Sequence, residues 1–507
     1  MATALKISSN ITGLRFAEEV SIGVLPTSPL PVWYPLEPNS YDGFGGELTR
    51  VARNPINPSR QRKKGNVVDL DADAGFESDF TQENMQRILQ GFFFANLRTK
   101  AEKTVAVISG SPLAYQVTAG TDFEIGDLLF GKSFSLSSNN GLKPVTASAS
   151  GSVTASGLVA DTGETGTISR VGFEFDTGDA EIDASGTLPQ LISTTKDLTE
   201  IGLIPGEFCW LGGDATINQF ATAANNGWAR VKLVEPNAIT FDKTSNTMVT
   251  DTGVGKEIRL FCGRVLKNEL GTDIVRRTYN LERTLGASET TQPTQIQSEY
   301  VEGAVPGEWE LVFNTADKAT CSLSFTGTNH TLRSGVTGVK AGTRPAIVEA
   351  DMYNTSSDIK RIKMAAVSNT NEAPTPLFGF VTELTLTLNN NLEPNKALGV
   401  LGSFDVTEGT FQIDASLSAY FSDVAALTAV RNNTDVTLDV HLVANNAGVS
   451  IDIPMIGLGD GRPEVEQDQA ITIPLTSEAG TGAKYDPNMD HTLLMVFYDY
   501  LPNLADT

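Results

Sequence analysis

Cysteine is scarce in this chain of 507 residues: Cys209, Cys262 and Cys321 are its only three, and none belongs to a CxxC pair. A disulfide framework and a thiolate zinc site are both disfavoured, and a reducing compartment is the simpler expectation. Histidine is as rare. His330, His441 and His491 stand far apart, near no paired carboxylate or cysteine, so a zinc or general-base centre would need tertiary convergence. Positive charge is thin, with 37 Lys and Arg against 61 Asp and Glu for a net charge of −24. A nucleic-acid binder displaces counterions with clustered Lys and Arg, so that class is disfavoured too. No apolar run approaches the roughly 20 residues that cross a bilayer. Residues 1–15 lack the apolar stretch of a secretory signal. No Gly-rich phosphate loop precedes a helix and no GxSxG elbow occurs. A protein made in a cytosol and soluble there is expected.

What remains reads as β-structure. Hydrophobic residues make up 40% of the chain, enough for packed cores, and the length suggests two to four domains. Residues 372–507 carry 19 Asp and Glu against four Lys and Arg, or −15 of the total charge. The same segment alternates with period two. Phe411, Ile413, Ala415, Leu417 and Ala419 are interleaved with Gln412, Asp414, Ser416 and Ser418. Val436, Leu438, Val440 and Leu442 are interleaved with Thr437, Asp439 and His441, and Val449, Ile451 and Ile453 with Ser450 and Asp452. Such alternation predicts strands with one face in a core and the other, small, polar and negative, on a wetted wall.

Other signals divide the chain. A Pro-rich entry (Pro26, Pro29, Pro31, Pro35, Pro38) leads to a basic segment, Arg50, Arg53, Arg60, Arg62, Lys63 and Lys64, with no acidic residue within it. The following strand sets Asp69, Asp71 and Asp73 on one face. Asp79 with Gln82 reads as a capping box, and Met85, Ile88, Leu89 and Phe92 give an apolar stripe, predicting a helix over about 80–98. A shorter helix is expected after Ser422, with Val424, Leu427 and Val430 inward. In the middle, Asn139-Asn140-Gly141 is echoed by Asn225-Asn226-Gly227, Asp161-Thr162-Gly163 by Asp251-Thr252-Gly253, and Ile168 by Ile258. Gly126-Asp127-Leu128 likewise matches Gly206-Glu207-Phe208. Two small β-modules, 106–200 and 201–271, are the natural reading. They would interrupt one discontinuous domain made of 1–105 and 272–507.

Three motifs have an enzymatic, metal-binding or nucleic-acid-binding look. Phe175-Asp176-Thr177-Gly178 resembles the aspartic-protease signature. However, Asp179 follows where a small residue is usual, and Asp and Gly are what β-turns select. Asp69-Leu70-Asp71-Ala72-Asp73-Ala74-Gly75 resembles the start of a calcium loop. Ala74 stands where that loop needs Gly, and Thr81 where it needs Glu, so an acidic strand is preferred. The basic segment lacks the interleaved aromatics of a nucleic-acid arm, and an inter-subunit contact suits it better.

The order of these parts resembles the tail tube proteins of long-tailed bacteriophages. The likeness runs from the Pro-rich loop, basic segment, acidic strand and helix through the inserted Asn-Asn-Gly modules. It continues through Arg276-Arg277-Thr278-Tyr279-Asn280-Leu281-Glu282-Arg283 and Glu302-Gly303. It ends with the strands 404–420, the short helix and the terminal strand 493–498. The resemblance implies a mainly β fold: a discontinuous tube domain, barrel or sandwich, with one flanking helix and two inserted Ig-like modules. It also implies a structural, non-enzymatic subunit without cofactor or catalytic residues, made in the bacterial host cytoplasm and carried in the virion. Hexameric rings would stack into a hollow tube that conducts double-stranded DNA. Tape-measure, tail-terminator and baseplate proteins would be its partners, and the bulk of the modules points to a tail without a contractile sheath. On this reading Glu383, Asp414, Asp439 and Asp452, with Asp69, Asp71 and Asp73, face the lumen, and the basic segment joins subunits. The alternatives are another β-modular virion protein, a capsid decoration or receptor-binding fibre, and more remotely an aspartic-protease-like hydrolase.

Overall fold

The structure, a computed structural model, describes residues 12–56, 63–81, 83–118, 122–286, 296–348 and 350–506, with Ile7, Ser9, Pro58, Gln61 and Gly120 besides. Strands dominate, as the alternation predicts, and among the described residues there are two short α-helices. The chain forms two compact units. One is made of residues 1–95, 273–352 and 383–416, and the other of 96–272, 353–382 and 417–507.

In the first unit, strand Ile296–Asn314 serves two sheets. Its first part, to Ala304, pairs with Tyr279–Gly286 on one edge and Asn329–Gly335 on the other. Tyr279–Gly286 then carries Gly13–Glu18 and Tyr34–Leu36. Its second part pairs with Thr320–Gly327, beyond which lie Asn66–Asp79 and Pro38–Val51. Residues 308–314 pair on their other edge with 383–389. The change of partner falls at Gly303, whose φ of +60° favours glycine and where a Cβ would stand only 2.3 Å from Thr328 Oγ1. Trp309, Leu311, Phe313, Leu323, Phe325, Leu384, Leu386 and Leu388 alternate into the core and are buried. Each contributes about 1.5–3 kcal/mol by leaving water. The helix, Gln86–Phe92, is shorter than expected. Gln82 of the anticipated capping box lies outside the described residues, Met85 caps without a side-chain bond, and Phe94 at φ 48° turns the chain away.

In the second unit, strand Ala447–Asp460 has the same double role. Its first part pairs with Val436–Ala444 and, on the other edge, with Leu494–Tyr498, while Val436–Ala444 carries Ile359–Ala366. Residues 455–460 pair with Thr472–Gly480. The helix Ala425–Arg431 buries Ala426 and Ala429, and Val424, expected inward, is 64% exposed. The inner face is therefore small and begins after Val424.

The strand pairing repeats element by element. Gly13–Glu18 pairs with Tyr279–Gly286 as Ile359–Ala366 pairs with Val436–Ala444. Pro38–Val51, Asn66–Asp79 and Thr320–Gly327 adjoin in the order of Val381–Asn389, Gln412–Tyr420 and Thr472–Gly480. Ile296–Asn314 meets Tyr279–Gly286, Thr320–Gly327 and Asn329–Gly335 as Ala447–Asp460 meets Val436–Ala444, Thr472–Gly480 and Leu494–Tyr498. In both series a helix follows the third strand, Gln86–Phe92 in one and Ala425–Arg431 in the other. In place of the single discontinuous domain expected over 1–105 and 272–507, the chain holds two copies of one fold.

The first copy is interrupted after its helix by two six-stranded barrels. In the first barrel Glu102–Ser109, Ala114–Gln116, Ser152–Ala155, Gly141–Ala149, Asp127–Lys132 and Asp161–Glu174 pair in that order. The last returns to the first and closes the sheet. The second barrel repeats this with Glu181–Asp183, Gln190–Ile192, Ala238–Thr244, Gly227–Glu235, Phe208–Leu211 and Arg259–Phe261. Its closing bridge, Ile182 to Asp251, is the counterpart of Ile108 to Asp161. The expected division at 200/201 is corrected to one between 174 and 181. In each module the strands pair round toward a closed barrel, and closure removes sheet edges.

The sequence echoes mark equivalent turns. Asn140 accepts from Phe134 N–H at 2.9 Å and donates to Phe134 O at 2.6 Å. Asn226 holds Phe220 in the same way at 2.9 and 3.1 Å. The buried Asn139 and Asn225 accept from Val159 and Val249 N–H at 2.9 and 2.8 Å. Asp127 and Glu207, each after a Gly at positive φ, accept the N–H three residues back, at 2.8 and 3.2 Å.

Candidate functional site

In the first unit, residues 66–79, 320–327, 305–314, 383–389 and 412–416 lie side by side as strands, and none of them is Lys or Arg. Their alternate residues face solvent: Asp71 and Asp73; Ser322 and Ser324; Glu308 and Asn314; Glu383; and Gln412 and Ser416 are exposed. Asp69, Glu77, Glu310, Thr385, Thr387 and Asp414 are half-buried on the same face. Glu77, Ser322, Glu310 and Thr387 form one row as successive cross-strand partners. Lys396 Nζ bridges Asp69 and Asp71 at one end of this face, and Lys318 holds Asp79 at 2.6 Å at the other. Between these ends Asp73, Glu77, Glu308, Glu310, Glu383 and Asp414 make no ion pair among the described residues. Burial first, then the neighbouring Asp71 charge, raises the Asp73 carboxyl, whereas the Lys396 hydrogen bond lowers Asp69.

Glu77, Glu308 and Glu310 were not anticipated on this face. Glu308 and Glu310 were readable, because Trp309, Leu311 and Phe313 alternate with Glu308, Glu310 and Val312. The aspartates at 69, 71 and 73 lie along an extended strand, not in a calcium-type loop. Asp176 opens a turn closed by the N–H of Asp179 donating to Asp176 O at 3.0 Å.

Two of the anticipated lumen residues are placed elsewhere. Asp439 is 0% exposed and Asp452 1% exposed, inside the second unit, so neither can line a channel. Lys243 Nζ contacts Asp439, Arg361 Nε lies 2.6 Å from it, and His441 Nε2 lies 3.3 Å from it. Arg230 reaches Asp452 through Nη1 at 3.0 Å and holds Asp242 through Nε and Nη2 at 2.9 and 2.8 Å. His491 Nε2 approaches Asp452 to 3.5 Å. The polar side of Val436–Ala444 is therefore covered by the second barrel, which supplies Arg230 and Lys243. Alternation identifies the apolar face of a strand, but it does not reveal whether charged partners cover the other.

Burial would raise the Asp439 carboxyl, but Lys243 and Arg361 outweigh it and hold it well below the usual range. Burial pushes His441 down to about 4, against its contact with Asp439. Its ring stacks on Trp228, with centroids 4.3 Å apart. All three cysteines are free and buried.

Of the basic segment, Arg50, Arg53, Lys63 and Lys64 are exposed, whereas Arg60 and Arg62 lie outside the described residues. No helix of the described residues is long and apolar enough to cross a membrane.

A search of the curated proteins returns no match. The model of the phage tail tube protein family matches residues 9–479, which takes in both copies of the fold, save the final strand of the second, and both barrels. The chain belongs to the phage tail tube protein family.

Proposed function

We propose that this structural subunit of the phage tail builds sixfold rings that stack into a tube. The acidic face over 66–79, 305–314, 320–327, 383–389 and 412–416 would form part of the wall of the DNA channel. Glu383, Asp414, Asp69, Asp71 and Asp73 then face the lumen together with Glu77, Glu308 and Glu310.

The observation that carries this reading is a broad solvent-facing sheet surface whose strands hold carboxylates, hydroxyls and amides but no Lys or Arg, with Lys396 and Lys318 reaching it only at its ends. Each phosphate that a cation neutralises adds to affinity, so a basic wall would hold DNA in place. A negative wall repels the phosphates, over roughly 8 Å at physiological ionic strength, and leaves double-stranded DNA free to slide. The role is one of assembly and conduction, without a catalytic step. Tape-measure, terminator and baseplate proteins would cap and fill the tube. If the two barrels are carried outside, they occupy the space a contractile sheath would need, which suits a non-contractile tail.

Cryo-electron microscopy of the assembled tube tests the reading. Glu308, Glu310, Glu383 and Asp414 should project into the channel. Finding them on the outer surface would overturn it.

A further inference from the structure

The duplication changes how many chains a ring requires. From the repeated pairing we infer that three copies of this chain, each contributing two tube folds, close one sixfold ring. This rests on the ring reading proposed above.

The junction between one fold and the next is visible inside the chain. In the first unit, residues 308–314 of the first copy pair antiparallel with 383–389 of the second copy, from Glu308 opposite Asn389 to Asn314 opposite Glu383. These are the sixth element of one copy, Ile296–Asn314, and the second element of the next, Val381–Asn389, counting Gly13–Glu18 and Ile359–Ala366 as first and leaving the short strands Tyr34–Leu36, Glu393–Lys396 and Ser403–Thr407 aside. The helix counts as the fourth element.

Two equivalent edges lack a partner strand. Pro38–Val51, the second element of the first copy, pairs along one edge only, with Asn66–Asp79. Residues 457–460, the end of the sixth element of the second copy, pair only with Thr472–Gly480. Both statements hold among the described residues. Unpaired edges template further pairing, and a long one is a liability unless it is covered.

The occupant of each edge is a second copy of this chain. Residues 457–460 of one chain pair with Pro38–Val51 of the next, in the manner of 308–314 with 383–389. Such a contact is head-to-tail, and a head-to-tail contact closes into a ring when its rotation divides the circle. With two folds per chain, six positions are filled after three chains.

The charge pattern fits both copies in the same wall. In the second copy 383–389 and 412–416 already belong to the acidic face described above, residues 455–460 and 472–480 likewise contain no Lys or Arg, and Thr476 and Glu478 are exposed on 472–480 as Ser322 and Ser324 are on 320–327. A chain with one wall-forming copy and one unrelated copy would have no need of that match.

The test is stoichiometry in the assembled full-length protein. Glutaraldehyde treatment of rings released from tubes should give a ladder of bands that ends at three chains. Cryo-electron microscopy of one layer should show threefold symmetry with two alternating versions of the fold. A ladder that runs to six chains, with six barrel pairs per layer, would overturn the inference while leaving the tube reading intact. Tubes with three chains per layer but with Pro38–Val51 solvent-exposed would overturn the assigned edge contact. Purified protein that forms neither rings nor tubes would overturn the ring reading and this inference with it.

Discussion

Asp439 and Asp452 are direct cross-strand partners, two carboxylates facing one another on antiparallel strands and sealed from solvent. Like charges so placed repel, and three cations offset them: Arg230, Lys243 and Arg361. Two of those cations come from the second barrel, which therefore cannot be a freely detachable ornament. Burying ions costs several kcal/mol each, and such networks hold only when complete.

Asp439→Asn leaves Lys243 and Arg361 buried without their counter-ion. The expected loss is about 3–5 kcal/mol, read from the urea midpoint. Asp414→Asn, on the wetted face, should stay within about 0.5 kcal/mol of the parent. Equal effects at the two positions would mean the buried network is not charged as described.

His441 makes the second unit sensitive to acid. Its folded value, about 4, lies below the ordinary histidine value of about 6.5, so the unfolded chain takes up a proton first as pH falls. Stability should therefore be full above pH 6.5 and decline as pH drops toward 4, by roughly 3 kcal/mol in all. Asp439, held low by Lys243 and Arg361, adds its own loss only below its usual range near 3.8. Urea midpoints between pH 7 and 4.5 check this, and in His441→Gln the slope across that window should flatten.

Reversal of the wall should trap DNA. Tubes carrying Glu308→Lys, Glu310→Lys and Glu383→Lys should still assemble, because these side chains face solvent. Their affinity for double-stranded DNA should rise and should weaken steeply with salt, by a slope of about −0.9 per phosphate contacted. Fluorescence titration at two salt concentrations reads this directly, and no gain in binding would count against the lumen assignment.

Asn140→Ala and Asn226→Ala should act alike, since each removes the pair of bonds to a Phe main chain six residues earlier. A loss of about 1–3 kcal/mol is expected for each, with faster amide exchange confined to the affected barrel. A large difference between the two would show that the echo is one of shape without shared energetics.

Charge reversal at Arg50, Arg53, Lys63 and Lys64 should give folded subunits that assemble poorly. These side chains are exposed, so their contacts are screened, and added salt should weaken assembly of the parent as well. Light scattering against ionic strength measures both effects, and unimpaired assembly would leave the segment a solvated loop.

Much of this was legible from residue pattern. Strands such as 412–420 and 381–389 followed from strict alternation, and Asn-Asn-Gly located the paired turns. The duplication of the tube fold was not legible, because it is held in which strands pair, and quite different residues satisfy the same pairing. Tyr279–Gly286 and Val436–Ala444 occupy one position in the two copies yet share no motif. The buried carboxylates were misplaced for a related reason. Asp439 has its neutralising partners at 243 and 361, and sequence distance conceals both.

The two copies of the fold differ most at one link. In the first copy the chain between helix and next strand holds both barrels, whereas in the second, residues 432–435 suffice, with Asn432 and Asn433 exposed. The short link shows that helix and strand in this fold end close enough to be joined by a tight turn. A foreign domain whose own termini lie side by side could therefore be grafted between Asn432 and Asn433. The phage particle would then display it at a regular spacing along the tail.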